Sequence, residues 1–235
     1  MQLNTDHINP TYDNELNLLN NSLSQMGGLV EDMLKDSLRA LKKRDTDLAL
    51  SVIERDRKVN GLQEQIDHES LQLLALRHPI ATDLRRVIGT IRATNDLERM
   101  GDLAEGIARR AVDVNAGEAV DLASGASRMG KLVKRQVKDA LDALFTENAD
   151  KAVQVWLQDQ DVDALYASLF RELLTYMMED HRNIKVCTSL LFVAKNLERI
   201  GDHATNIAEI VYFSVHGRAL TNDDLVKNAR EEDED

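Results

Sequence analysis

The chain has 235 residues, 43% of them hydrophobic, with 2 prolines, 11 glycines and only 4% aromatics, so it folds, and the mixture favours helix over sheet. A formal net charge of -12, five charges of it in Glu231 to Asp235, argues against binding to nucleic acid or to an anionic membrane surface and favours cations or basic protein surfaces as partners. One cysteine, Cys187, leaves no intrachain disulfide, and its apolar helical setting reads as a small buried side chain.

Apolar residues Leu16, Leu19, Leu23, Met26, Val30, Met33, Leu34 and Leu41 recur at three- and four-residue spacing and predict a first helix from Tyr12 to Lys43. It stops at "KKRDTD", where Asp45 can cap the next helix by accepting backbone N–H bonds. A second helix follows over Thr46 to Leu76, broken at "RHPIATD" because Pro79 disfavours helix at His78. The third runs from Asp83 to Val114. The remaining chain predicts helices over Ala126 to Thr146, Ala149 to Met178 and Arg182 to Val215, with Asn148 in the capping place that Asp45 holds earlier.

These two sets of three are copies. Shifted by 103 residues, Met26-Gly27 meets Met129-Gly130, Lys35-Asp36 meets Lys138-Asp139, and Asp56 meets Asp159. After "RHPIATD" the offset falls to 100, and "LERMGDLAEGIA" (97–108) meets "LERIGDHATNIA" (197–208). The expected fold is all-α: two tandem, pseudo-twofold-related three-helix bundles of six long antiparallel helices. The expected parts are residues 1–116, residues 117–218 and an acidic, disordered tail, 219–235. A single six-helix array with a shared core is the alternative architecture.

Residues four apart share a helix face, so Glu98 points with Asp102 and Glu198 with Asp202, on the flank of the apolar seam. Between seam and acids lie Gly101 and Gly201, which admit a close neighbour at a cost of about 1 kcal/mol of helix propensity. The preceding helix of each copy adds "DRKVN", Asp56 with Asn60, and "DQDVD", Asp159 with Asp163. Packed antiparallel, these pairs would make two oxygen-rich clusters that need a counter-charge, which a hard cation can supply. In the competing reading the acids are merely ion-paired, Glu198 with Lys195 or Arg199. No histidine has Glu three residues before it, which excludes the Glu-x-x-His di-iron oxidases. His7, His68, His78, His181 and His216 read as surface or capping residues, and Trp156 and Tyr166 as core or seam. Arg85 and Arg86 are the candidates for an anion pocket. No glycine-rich phosphate loop is present.

"NDLERMGDLAEGIAR", "KNLERIGDHATNIAE", "LLTYMMED" and "MGGLVEDML" together resemble the PhoU family, over about Asn14 to His216 and in both halves. The resemblance implies a cytoplasmic, homodimeric regulator and not an enzyme. It implies restraint of phosphate uptake and of starvation signalling, through the ATPase subunit of a phosphate ABC transporter and a sensor histidine kinase. It further implies metal (Mg, Mn, Zn or Fe) at acidic E(D)xxxD motifs, which fall on Glu98 with Asp102, Asp159 with Asp163, and Glu198 with Asp202. Asp56 with Asn60 departs from that form, so a weaker N-terminal site is expected. A metal-free helical scaffold and a carboxylate-cluster metallohydrolase are the alternatives. The N-terminus shows no secretory signal, and no apolar run is long enough for membrane insertion.

Overall fold

A computed structural model describes residues 10–116, 124–221 and 224. Among them there is no strand. The helices are α1 (Pro10–Lys43), α2 (Thr46–Arg77), α3 (Ala81–Asn115), α4 (Ser124–Thr146), α5 (Ala149–Leu157), α6 (Asp159–Glu179) and α7 (Ile184–His216), with a 3₁₀ turn at His181–Asn183.

The turns come from local chemistry repeated in each half. Asp45 accepts from the Leu48 N–H at 3.0 Å, and Asn148 accepts from the Lys151 N–H at 2.9 Å. Just before each cap, Arg44 and Glu147 take left-handed backbone with φ 55 and 50, and the Asp45 and Asn148 amides close back on Ala40 and Ala143 at 3.0 Å. Pro79 stops α2 as expected: His78 leaves the right-handed region (φ 47) and caps the helix. Gly217, at φ 70, ends α7 in the conformation that glycine adopts most freely.

One rod departs from the expected six. The span expected as one helix over Ala149 to Met178 is divided at Gln158 into α5 and α6. The apolar period runs through the break and gives no sign of it. Asp159, Asp161 and Asp163 explain it: aspartate is a weak former of helix interiors but suits a first turn, where α6 carries Asp159 and Asp161. Of the span expected as a tail, Leu220 packs beside Tyr212 and Trp156, and Asp224 pairs with Arg218 at 2.6 Å; residues 222–223 and 225–235 lie outside the described residues. The expected boundary between the halves falls after residue 116, and residues 117–123 there lie outside the described residues.

Within each half the three rods pack on one another, and the halves meet along α3 with α7 and α1 with α4. Asp96 meets His203 and Asn206; the residues 100 positions away, Asn196, Leu103 and Gly106, meet as well. Likewise a β-carbon at Gly27 would lie 2.9 Å from Leu141 Cδ2, and one at Gly130 would lie 2.6 Å from Leu38 Cδ2, each pair being the other shifted by 103. Reciprocal contacts of this kind are the mark of a twofold relation. The paired positions run in opposite directions, so α3 and α7 are antiparallel and their middles face each other. One apolar core, with Met26, Leu97, Met100, Ile107, Met129, Leu197 and Ile207 at its heart, runs through both halves. The two bundles therefore share the core of the single-array alternative.

Candidate metal centre

Both halves build their acidic cluster in one way. α2 lies against α3 and carries Asp56 and Asn60; α3 carries Glu98 and Asp102. α6 lies against α7 and carries Asp159 and Asp163; α7 carries Glu198 and Asp202. The motif glycines allow this approach. A β-carbon at Gly101 would sit 3.2 Å from Val59 Cγ1, and one at Gly201 would sit 3.0 Å from Gln136 Oε1 and 3.4 Å from Asp159 Oδ1.

The electrostatics show which groups face one another. Burial raises the Asp56 pKa, and the charges of Asp102, Glu105 and Glu98 raise it further, against a hydrogen bond from Asn60. Burial and Asp102 raise Glu98, opposed by Arg99 and His203. In the other half, burial raises Asp159 against the hydrogen bond from Gln136, with Asp163 and Glu198 adding to the rise. Asp202 is raised by burial, then by Glu198 and Asp159. The eight residues named from the sequence thus divide into two groups of four, and within each group the carboxylates repel one another while Asn60 hydrogen-bonds Asp56.

Several oxygens in these groups are in want of a partner. Asp56 Oδ1 and Asn60 Oδ1 are buried without a hydrogen bond, although Asn60 Nδ2 reaches Asp56 Oδ2 at 3.4 Å. Gln136, fully buried on α4, donates to Asp159 Oδ1 at 3.1 Å while its own Oε1 accepts nothing. Leaving such groups unsatisfied costs about 1–3 kcal/mol each. The ion-paired reading also holds in part: Lys195 Nζ lies 2.7 and 2.6 Å from the Glu198 oxygens, and Arg99 lies 3.5 Å from Glu98 and from Asp102. Among the described residues, no three His, Cys, Asp or Glu side chains stand close enough together to hold a cation as they are placed. The donor set, all oxygen with orphaned buried acceptors, fits a hard cation gathered by side-chain rotation. Nitrogen-preferring zinc is served less well, because His203 Nδ1 is engaged with Asp96 Oδ1 at 2.8 Å.

Glu105, Gln136 and the Asp96–His203–Asn206 group were not singled out from the sequence. Glu105 was legible as a third acid seven residues after Glu98. Cys187 is buried, as expected. Trp156 is only partly buried and donates its Nε1 to Glu209 at 3.3 Å, so it rims the α5–α7 contact. The anion-pocket candidates are committed elsewhere: Arg86 pairs with Glu147 at 2.6 Å, and Arg85 donates to the Ser214 carbonyl at 3.3 Å. Arg86 and Glu147 border a cleft of about 640 Å³ between the halves, walled also by Asn17, Asn20, Thr90 and Phe145.

The PhoU domain model matches residues 23–111 and again 126–211, once per half. The chain belongs to the PhoU family. It is 45% identical over 219 residues to the phosphate-specific transport system accessory protein PhoU homolog of Caulobacter vibrioides, covering 93% of this chain and 95% of that one. The homolog of the same description from Rhizobium meliloti is 47% identical over 213 residues, 90% of each chain. Among solved structures, PhoU from Pseudomonas aeruginosa superposes with a TM-score of 0.85 at 41% identity, over 88% of this chain and all of that one. The phosphate transport system regulatory protein PhoU of Streptococcus pneumoniae follows at TM-score 0.82 and 31% identity, over 89% of this chain and 99% of that one. No helix among the described residues is long and apolar enough to cross a membrane.

Proposed function

We propose that this chain is a cytoplasmic accessory regulator of phosphate transport. Through the ATPase subunit of a phosphate ABC transporter and a sensor histidine kinase, it restrains high-affinity uptake and starvation signalling. The observation that carries this reading is the PhoU match in both halves, at 40–47% identity to relatives described as phosphate-specific transport accessory proteins. On this reading the protein is a binding module, not a catalyst, and it works as a homodimer.

The two acidic clusters are its metal sites. Asp56, Asn60, Glu98 and Asp102 would hold one ion or cluster, and Asp159, Asp163, Glu198 and Asp202 the other, with Mg²⁺, Mn²⁺ or oxygen-ligated iron best suited to the donors. A bound cation supplies positive charge where the chain concentrates negative charge. What the protein contributes is placement: α3 and α7 hold the two clusters near the middle of one antiparallel pair, and Gly101 and Gly201 keep α2 and α6 close. Neutralising both would relieve the repulsion that, after burial, raises Asp56, Glu98, Asp159 and Asp202. It would also change what an approaching partner meets.

Capture of the purified transporter ATPase tests this reading, with Mn²⁺ and with EDTA. Retention that EDTA abolishes supports it. Equal retention in both favours the metal-free scaffold, and no retention removes the transporter from the proposal. The metallohydrolase alternative predicts turnover of a generic phosphoester with Mn²⁺.

A further inference from the structure

The sequence leaves the N-terminal cluster one carboxylate short, because Asn60 stands where the C-terminal half has Asp163. The structure supplies a replacement from the neighbouring helix. Glu98, Asp102 and Glu105 stand at i, i+4 and i+7 on α3, so Glu105 lies about 20° round the helix from Glu98 and about 4.5 Å along it from Asp102. At the matching place α7 has Thr205, a neutral residue whose hydroxyl donates to the Gly201 carbonyl at 3.1 Å and also hydrogen-bonds Asp159. A carboxylate absent from the α2 side of one cluster is thus added on its α3 side. Each cluster then holds four: Asp56, Glu98, Asp102 and Glu105 in one, Asp159, Asp163, Glu198 and Asp202 in the other.

Two observations place Glu105 in the group. Its side chain is 20% exposed, close to the 18% of Glu98, so it lies on the inner flank of α3. The group it joins contains the two orphaned buried oxygens, Asp56 Oδ1 and Asn60 Oδ1. Arg109, 61% exposed and one turn further along, holds Glu105 Oε1 at 2.6 Å from the solvent side, much as Lys195 holds Glu198 in the other half. In each cluster, then, a carboxylate is held at close range by an exposed basic side chain that a cation could displace.

We infer that Glu105 is a cation ligand of the N-terminal cluster, giving it the same formal charge as its C-terminal counterpart despite Asn60. This rests on the proposal above that the clusters take metal. The two sites then differ in where their charge sits, with the N-terminal one weighted towards α3, and not in how much they carry.

The test isolates the N-terminal site by using full-length protein with Asp159→Asn and Asp163→Asn. Mn²⁺ is titrated by calorimetry, and the loss of the free-ion electron paramagnetic resonance signal is followed in parallel. On that background Glu105→Gln is expected to weaken Mn²⁺ binding about ten-fold or more, and Glu105→Asp to restore part of it. Glu105→Thr, which copies the residue of the other half, should behave as Glu105→Gln does. Thermal midpoints of all variants without metal check that the fold is intact. Unchanged affinity in both Glu105→Gln and Glu105→Thr overturns the inference and leaves the metal reading standing. Failure of the unmutated chain to bind Mn²⁺ overturns both.

Discussion

Glycines on α1 and on its twofold mate α4 should respond to alanine with different signs. A β-carbon at Gly28 meets nothing within 4 Å, so Gly28→Ala gains only the helix-propensity difference, about 1 kcal/mol. For a chain of this size that raises the thermal midpoint by about 2–4 °C. At Gly130, on the twofold-related α4, the β-carbon would lie 2.6, 2.8 and 3.3 Å from Leu38 Cδ2, Cδ1 and Cγ. The whole Leu38 head must move inside a packed seam. Overpacking of that sort costs about 1–3 kcal/mol, against the same gain of about 1 kcal/mol. The net result is a loss of up to about 2 kcal/mol, or a midpoint lower by up to about 8 °C. Gly27→Ala falls between them, because its contacts are a Leu141 methyl at 2.9 Å and the tip of the half-exposed Phe145 ring at 3.3 Å, which can swing outward. Urea and thermal unfolding of the three single variants measure this order. Equal stabilisation by Gly28→Ala and Gly130→Ala would show that α1 and α4 do not meet as described, and the twofold seam would fall with it.

Removal of either matched cap, Asp45→Ala or Asn148→Ala, should cost about 1 kcal/mol in urea unfolding, and the two losses should be alike. The metal-free protein should be stabilised by mild acid. Asp56, Glu98, Asp159 and Asp202 have folded-state pKa values above their ordinary ones, so the folded state binds protons more readily than the unfolded state. The thermal midpoint without metal should therefore rise as pH falls from neutrality towards the ordinary carboxylate range, and a flat or falling profile contradicts the clusters' burial and mutual repulsion. The Arg182-bound Asp180, held down to about 2, works the other way only at far lower pH. Mn²⁺ at about a hundred times its dissociation constant should add about 2.7 kcal/mol per site, a midpoint rise of about 5–10 °C by calorimetry that EDTA erases.

What could be read from the chain beforehand depended on the range of the interaction. Asp45, Asn148 and Pro79 act within a few residues of themselves, so the helix ends they set were legible. The duplication was legible because two copies can be laid side by side. The break at Gln158 was not: the apolar spacing continues across it, and only the density of Asp at 159, 161 and 163 hints at a new helix start. Glu105 escaped for a different reason. Comparing the copies draws attention to what they share, and Thr205 in the second copy removes Glu105 from that set. His203 carries no signal on its own helix, because its partner Asp96 is 107 residues away and across the seam. Pairing of that kind follows from the antiparallel docking of α3 on α7, which no local pattern encodes.

The reciprocal seam between the halves has a consequence for recognition. Turning the molecule half a revolution about its internal axis overlays the motif residues that the copies share, so a partner reading only those could dock in two opposed orientations. Orientation must then be written in the positions where the copies disagree: Asn60 against Asp163, Glu105 against Thr205, Asn95 against Lys195, Leu103 against His203. Together with reversed charges such as Glu31 against Lys134 and Asp32 against Arg135, these unlike residues give an otherwise reversible face its polarity.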